Sequence, residues 1–376
     1  MTWRRVAFVL LLALIAPAAQ SGHELPVYPS YYPHEIEIAT LDPERAAPLL
    51  LDGKIQAYVG SAPRFTAPPP DTIQSVESLG SLVTVRVNPA SAHAQEAMSA
   101  CMAVRAVARD MAANHAGVII HPYPVTPLHG DYLDHVDLAE DVKESLLDAR
   151  QAAPAIHELK VKATGAAKRF LRGETAPDPW DVEISEIDAM ERVAPSMTSM
   201  NGWLGPPPLK SGWYQAYLVL RDGIALRARE RIEALAQRLL SGDFADAVER
   251  INLERDFVAQ LVGGCGNLVI GYTVKREYYI AEFSAGIENI GFDSLTGFNS
   301  TIFLRTVKLK DFPWNGWLAL GIDARPAAAW NPVAGFNDPF GRLMWSALGD
   351  PALLSDPYGS TWMINRISDV QSVPAR

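Results

Sequence analysis

Imidazole and carboxylate side chains are concentrated in one short stretch of this chain. All 8 histidines lie within the first 157 residues, and half of them fall in this stretch together with several aspartates: His115, His121, His129, His135, Asp131, Asp134 and Asp137. Such side chains bind divalent metal ions and transfer protons near neutral pH. Any chemistry that the protein performs is expected to start here.

A stiff loop is predicted to hold the central members of this group. Three prolines restrict the backbone between His121 and His129, and Asp131 follows closely. Metal ligands must converge on one ion at about 2.0–2.2 Å, and fixed spacing favours this convergence. His121, His129 and Asp131 are therefore predicted to bind zinc or another borderline divalent metal, with Tyr123 beside them. The spacing matches no common zinc motif.

Structural roles are the competing interpretation of the same residues. Asp134 and Asp137 fall in the first turns of a predicted helix, where the helix dipole stabilises negative charge. Asp131 can cap that helix, and His115 can close the preceding one. Both interpretations stay open at the level of sequence.

Strands and helices alternate in the N-terminal half. Strands are predicted at 35–38, 55–60, 82–87 and 118–120, and helices at 42–53, 93–115 and 134–150. The long helix at 93–115 is expected to bury an apolar face made of Met98, Met102, Val104 and Val107. The first strand, helix and second strand form a βαβ-sized unit, for which parallel pairing is expected. Because ligands bind beyond the C-terminal ends of strands in open α/β sheets, the loop after residue 120 is expected at a site.

The C-terminal half is expected to be mixed α+β. Two helices are predicted within 223–262, followed by strands at 268–273, 277–283 and 300–307. The predicted fold class is therefore α/β with a mixed second half. Its predicted organisation is a signal peptide at 1–22, an α/β lobe with the His-rich loop at 23–155, a connection at 156–208 and a Trp-rich lobe at 209–376.

The N-terminal residues predict the location of the protein, and its net charge predicts which classes of partner it does not bind. Residues 1–22 have an Arg-containing start, an apolar run and a small-residue end, which is typical of a secretory signal peptide and predicts a periplasmic location. The chain has 33 Lys plus Arg against 43 Asp plus Glu, a net charge of −10. A negative field repels nucleic acid and anionic lipid, so a cation or a neutral solute is the more compatible partner.

The only cysteines are Cys101 and Cys265. Export to an oxidising compartment permits a disulfide between them, which would tie the two halves together. The alternative is that Cys101 is a buried apolar residue and Cys265 a free thiol.

Aromatic residues are a further candidate for ligand binding. Trp314, Trp317 and Trp330 each lie next to or near asparagine in the second half. Indole rings stack on a sugar or another flat ligand while amides bind its polar groups. The alternative is that these residues form the core and the turns of a mixed domain.

One segment resembles the first lobe of periplasmic solute-binding proteins of ABC transporters, especially the phosphonate-binding type. The resemblance covers residues 36–88 and rests on the strand Ile36–Ile38, the segment Leu50–Val59, Gly60–Pro63 and the strand Leu82–Asn88. It implies a two-lobed fold with the ligand between the lobes. Tyr31, Ser61 and the 121–131 loop would then face the cleft. Gln56 departs from the Asp that the family usually has.

These observations predict an exported binding protein more than an enzyme. It would capture a small solute or a metal ion near Ser61, His121, Tyr123, His129 and Asp131, and deliver it to a membrane transporter. Gly-x-Ser-x-Gly and phosphate-loop motifs are missing from the sequence. One alternative is a metal-dependent hydrolase with Asp134 or His135 as general base. Another is a scaffold for a second periplasmic protein, with the aromatic half as its interface.

Overall fold

The structure is a computed structural model that describes residues 33–114, 117–148, 150, 152–196, 207–224, 226–311, 316–326, 338–349, 352–366 and 368. The predicted signal peptide lies outside the described residues, as do Tyr31, Trp314 and Trp330. Within the described residues, no helix is both long and apolar enough to cross a membrane.

One mixed sheet crosses the molecule. The strands in chain order are β1 (Glu35–Thr40), β2 (Ala57–Val59), β3 (Ile73–Val87), β4 (Ile119–Ile120), β5 (Val161–Ala163), β6 (Val182–Ile187), β7 (Asn267–Ile280), β8 (Ile287–Glu288), β9 (Lys308–Leu309), β10 (Trp317–Ile322), β11 (Leu353–Ser355) and β12 (Trp362–Ile364). The large sheet has the order β1-β10-β2-β7-β3-β6-β5, with β4 also on β7, while β8 pairs with β9 and β11 with β12.

Helices cover both faces of this sheet. In chain order they are α1 (Pro43–Leu51), α2 (Ala97–Asn114), α3 (Val136–Leu147), α4 (Ala189–Ser196), α5 (Gly212–Leu220), α6 (Leu226–Ser241), α7 (Ala247–Val262), α8 (Thr301–Thr306) and α9 (Pro339–Leu348). The predicted α/β class with a mixed second half is confirmed.

Two long antiparallel strands, β3 and β7, join the two ends of the sheet. At one end β1, β10 and β2 run parallel to one another, and β2 pairs with β7 at Tyr278. At the other end β6 pairs with β3 beyond Leu82, and β4 pairs with β7 at Tyr272. A register shift in β3 between Leu79 and Leu82 separates the two ends.

Each end of the sheet has its own apolar core on each face. On one face, α1 packs over Tyr58 and Ile280 at the first end, and α5 and α7 pack over Leu79 and Leu82 at the second end. On the opposite face, α8 and α9 cover β2 and β10, and α2 covers β6 and the far end of β3. The middle of β3 and β7 therefore lies between separate cores on both faces.

Most of the predicted helices and strands are present as helices and strands in the structure. β1 and β2 are parallel as predicted, but β10 lies between them. The predicted strands at 268–273 and 277–283 form the single strand β7. Residues 156–208, predicted as a connection, contribute β5 and β6 to the large sheet.

Two local predictions were wrong. Residues 300–307 form helix α8 instead of a strand, because the Ser300 side chain accepts a hydrogen bond from the backbone of Phe303 and Phe303 and Leu304 are buried on one side. In α2, Met98 is 66% exposed, because the helix begins only at Ala97 and buries the face with Val104, Val107 and Met111.

The predicted disulfide is confirmed. Cys101 in α2 and Cys265 in the turn before β7 are bonded, with their Cα atoms 4.9 Å apart and a sequence separation of 164. The bond fixes α2 to the strand that spans the molecule.

Candidate functional site

The His-rich loop begins where β4 ends, as predicted, and is buried. The His121 backbone N–H donates to the Ile270 carbonyl of β7, and the His121 ring Nε2 lies 2.9 Å from the Val125 carbonyl oxygen. A carbonyl only accepts, so Nε2 carries a proton in this contact. Burial lowers the pKa of His121, which favours the neutral ring.

His129 is held on both ring nitrogens by the protein itself. Its Nδ1 accepts a hydrogen bond from the Thr126 backbone at 2.9 Å, and its Nε2 lies 3.0 Å from Gln215 Oε1 in α5. Nε2 is therefore the protonated nitrogen and donates to Gln215. Burial lowers the pKa of His129, so the ring is neutral near pH 7.

Asp131 caps a helix, but not the one that follows it. Its Oδ1 accepts from the Gly212 backbone at 2.8 Å and its Oδ2 from the Trp213 backbone at 3.2 Å, which are the first amides of α5. A carboxylate at this position satisfies two otherwise unpaired N–H groups and interacts favourably with the helix dipole. The loop and α5 are thus joined by a buried charged group.

The three predicted metal ligands thus all have partners in the protein. In the described part of the chain, no group of three or more His, Cys, Asp or Glu side chains is placed to hold a metal ion. His121, His129 and Asp131 do lie in one buried loop, as the sequence analysis predicted. Their contacts fix the conformation of that loop, and metal binding by them stays a prediction.

Tyr123 and His135 form a second buried pair behind the loop. The Tyr123 hydroxyl lies 2.9 Å from His135 Nδ1, and burial raises the pKa of Tyr123, so the phenol stays protonated. Outside this pair, the Arg255 guanidinium of α7 contacts both carboxylate oxygens of Asp137 at 2.7 and 2.6 Å and also donates to the Asp134 carbonyl. These contacts attach the loop to α7.

On the α1 and α5 face of the sheet, an exposed polar stretch of β3 and β7 lies between the two cores, and it is called the cleft from here on. Alternation along the strands places Ser75, Glu77, Tyr278 and Arg276 on this face. Arg276 Nε and Nη2 both lie 2.7 Å from Glu77 Oε1, and the two side chains remain 52% and 48% exposed. An ion pair that stays about half exposed shows that the described residues leave this stretch of the sheet uncovered, whereas both of its ends are covered.

Aromatic side chains lie on both sides of this stretch, and they are called its walls from here on. On the side of the His-rich loop, the His121 ring lies 5.6 Å from Tyr132 and 5.9 Å from Tyr272. Burial raises the pKa of Tyr272, and the charges of Tyr132 and Glu77 add to the rise. On the side of α1, Phe65 contacts Tyr278 edge to face at 5.2 Å.

The two walls lie at opposite ends of the exposed stretch. Tyr272 and Tyr278 lie on the same strand and the same face, which separates them by about 20 Å at roughly 3.3 Å per residue. β3 pairs with one edge of β7 along nearly its whole length. β2 and β4 therefore both pair with the other edge of β7. Among the described residues, the segment 273–277 has no strand partner on that edge.

The opposite face of the same segment is closed. Glu277 is fully buried there, and its carboxylate accepts from the backbones of Gly60 at 2.6 Å and Phe298 at 2.5 Å, with Lys275 Nζ 3.7 Å away. A side chain on Gly297 would overlap the Glu277 carboxylate, and Gly297 also has a φ of +67°. This face anchors the cleft floor to the 291–298 loop.

The predicted site residues are only partly brought together. Ser61 follows the C-terminal end of β2 on the α1 side, and its hydroxyl lies 3.5 Å from the Tyr58 hydroxyl. His121 lies on the other side of the cleft, at the level of Ile270 in β7. Tyr31 lies outside the described residues, and Trp317 is 74% exposed at the start of β10.

Glu77 and Arg276 were not predicted from sequence. They are 199 residues apart, and Glu77 lies in the part of β3 that precedes the predicted strand. Each of them lies at the centre of a long segment of alternating apolar and polar residues, and the two have opposite charges. This pattern is the signal that could have indicated them.

No family model matches the sequence, and no curated protein matches it. The chain resembles solved structures of ABC-transporter substrate-binding proteins. The periplasmic binding protein DppA from Helicobacter pylori in complex with a peptide has a TM-score of 0.39 and 10% identity over 72% of this chain and 55% of that chain. A nickel ABC transporter structure from Bacillus halodurans has a TM-score of 0.38 and 11% identity over 66% and 58%.

NikA from Brucella suis in complex with Fe(III)-EDTA is a third such structure, with a TM-score of 0.35 and 12% identity over 68% of this chain and 58% of that chain. The chain spans a little more than half the length of these structures. At such identities and TM-scores, no conclusion about a ligand follows from the likeness.

Proposed function

We propose that the protein is an exported solute-binding protein that captures a small solute in the cleft over Glu77 and Arg276. The observation that carries the proposal is the exposed ion pair between two aromatic walls. Arg276 uses two nitrogens on a single oxygen of Glu77, so, as far as the described residues go, the other carboxylate oxygen and the remaining guanidinium nitrogen can contact a ligand. The aromatic walls would bury the apolar part of the solute.

Capture suits this arrangement better than catalysis. The imidazoles of His121 and His129 are buried, hydrogen-bonded and, because burial lowers the pKa of both, neutral. They support the wall without presenting a free base to the cleft. A binding site needs preorganised polar groups and a shaped apolar surface, and the cleft supplies both.

The proposed location is the periplasm, with a membrane transporter as partner. Support comes from the signal-peptide pattern of residues 1–22 and from the disulfide, which an oxidising compartment favours. The phosphonate-binding subtype and the capture of a metal ion stay predictions. A small solute with charged groups fits the Glu77–Arg276 pair directly.

Removing the ion pair is expected to weaken ligand binding strongly while the fold survives. The probes are millimolar free amino acids, di- and tripeptides, monosaccharides, and nickel and zinc ions, and the measurement is the melting temperature of the purified protein. A probe that raises the melting temperature of the wild type is expected to bind Arg276→Ala and Glu77→Ala at least tenfold more weakly by calorimetry. The loss of one charge-assisted contact to the ligand accounts for that factor.

Arg86→Ala is the matched control. Arg86 also forms a cross-strand ion pair from β3, with Glu183 at 2.6 Å, but away from the cleft. This variant is expected to bind like the wild type. Equal binding by Arg276→Ala and the wild type would contradict the proposed site, and turnover of any probe would contradict a pure binding function.

A further inference from the structure

Where the loop meets α7, two buried polar atoms have no hydrogen-bond partner among the described residues. His135 is fully buried in the 3-10 turn Tyr132–His135, and its Nε2 is one of these atoms. Glu254 of α7 is almost fully buried, and its Oε2 is the other, while its Oε1 accepts from Arg250 at 2.9 Å. Unpartnered buried polar atoms are costly, so their presence requires a reason.

The charges around these two groups are unbalanced. Five further charged side chains surround Glu254 and His135. They lie in or next to the turn, at the start of α3 and in α7: Asp131, Asp134, Asp137, Arg250 and Arg255. Arg255 is engaged by Asp137, which leaves Arg250 as the cation nearest Glu254. Asp131 and Asp134 both oppose a negative charge on Glu254.

Burial dominates the titration of both groups. It raises the pKa of Glu254 to about 7, against the lowering by Arg250. Burial also lowers the pKa of His135. Glu254 therefore changes charge near neutral pH, while His135 stays neutral until the pH falls below its ordinary range.

We propose that Glu254, buried where α7 meets the turn Tyr132–His135, is a proton-binding site that controls the Tyr132 wall of the cleft. The role in ligand binding rests on the proposed function, but the proton site itself does not. Tyr132 of this turn lies in the wall, and Arg255, which follows Glu254 in α7, donates to the Asp134 carbonyl of the same turn, so the wall and the proton site meet at one turn. A proton on Glu254 removes a buried negative charge next to Asp131 and Asp134 and holds this turn on α7.

The sign of the pH effect follows from the raised pKa of Glu254. When the turn opens, Glu254 is exposed and ionises with an ordinary pKa near 4.5. Between that value and about 7, the open form loses a proton that the closed form keeps, so opening becomes easier as the pH rises. From pH 6 to pH 8 the opening equilibrium is expected to increase about tenfold, and to level off above that.

Hydrogen exchange tests the proposal without any ligand. The protection of residues 123–147, corrected for the intrinsic exchange rate, is expected to fall about tenfold from pH 6 to pH 8 in the wild type and to stay constant in Glu254→Gln. Glu249→Gln is the control, because Glu249 lies on the same helix, has a side chain that is 41% exposed, and has a pKa lowered by its hydrogen bonds. This control is expected to keep the wild-type pH dependence.

Infrared spectroscopy provides a test on the unaltered protein in case Glu254→Gln folds poorly. A band from a protonated buried carboxyl group is expected at pH 6 and is expected to disappear by pH 8. Equal pH dependence in the wild type and Glu254→Gln, or no such band, would overturn the proton site. If the exchange results hold but no probe binds in the cleft, the proton site stands and the proposed function fails.

Discussion

Reduction of the Cys101–Cys265 bond is expected to lower the free energy of unfolding by about 5 kcal/mol. The bond closes a loop of 164 residues, and a loop of this length restricts the unfolded chain strongly. It also joins α2 to the start of β7, so the unfolded halves can separate only when it is broken. The effect is comparable to the whole stability of many domains.

Urea unfolding with and without dithiothreitol measures this difference. The chain has 2 cysteines in total, so the reductant acts on one bond alone. The variant with both Cys101→Ser and Cys265→Ser serves as control, because it is expected to unfold like the reduced wild type and to ignore the reductant. Coinciding urea midpoints for the oxidised and reduced protein would refute the structural role of the bond.

Local patterns were sufficient to predict many elements of this fold. The Asp42 cap and Pro43 start α1 as predicted, and the apolar spacing within 223–262 gives α6 and α7. Residues 300–307 show the limit of such patterns. Ser300 and the spacing of Phe303 and Leu304 suit a helix, while the same residues also suit a strand.

The pairing of strands that are far apart along the chain could not be predicted from the sequence. β10 comes near the end of the chain, yet lies between β1 and β2 from its start. The cleft depends on β3 and β7, which bring Glu77 and Arg276 together across 199 residues. No local propensity encodes such a pairing, because it is decided by how the separate cores pack.

In the His-rich loop, the composition predicts metal binding, but the same imidazole and carboxylate groups fix the conformation of the loop beside the cleft. A rigid loop with converging imidazoles and a carboxylate was predicted, and a buried, hydrogen-bonded loop is present. Metal ligands and buried structural polar groups have the same residue types. Only the partner of each nitrogen and oxygen distinguishes them, and Gln215 and Gly212, which provide two of these partners, are more than 80 residues away.

Replacement of Asp131 by alanine is expected to lower the free energy of unfolding by about 3 kcal/mol. The substitution leaves the Gly212 and Trp213 amides buried without an acceptor at the start of α5. A hydrogen bond to a charged group contributes about 1.5–3 kcal/mol, and unpaired buried donors add their desolvation cost. Because α5 packs in the core beside the His-rich loop, the loss is expected to reach the Tyr132 wall as well.

Asp131→Asn separates the role of a helix cap from that of a metal ligand. Asparagine keeps one acceptor oxygen for the Gly212 amide, so a cap predicts a loss smaller than that of the alanine variant. A metal ligand predicts that EDTA destabilises the wild type and has no effect on either variant, since the ion would already be lost. Urea unfolding of the three proteins, with and without EDTA, decides between the two roles. An unchanged wild-type curve in EDTA, with the order wild type, Asp131→Asn, Asp131→Ala in stability, is the result that the contacts of Asp131 lead us to expect.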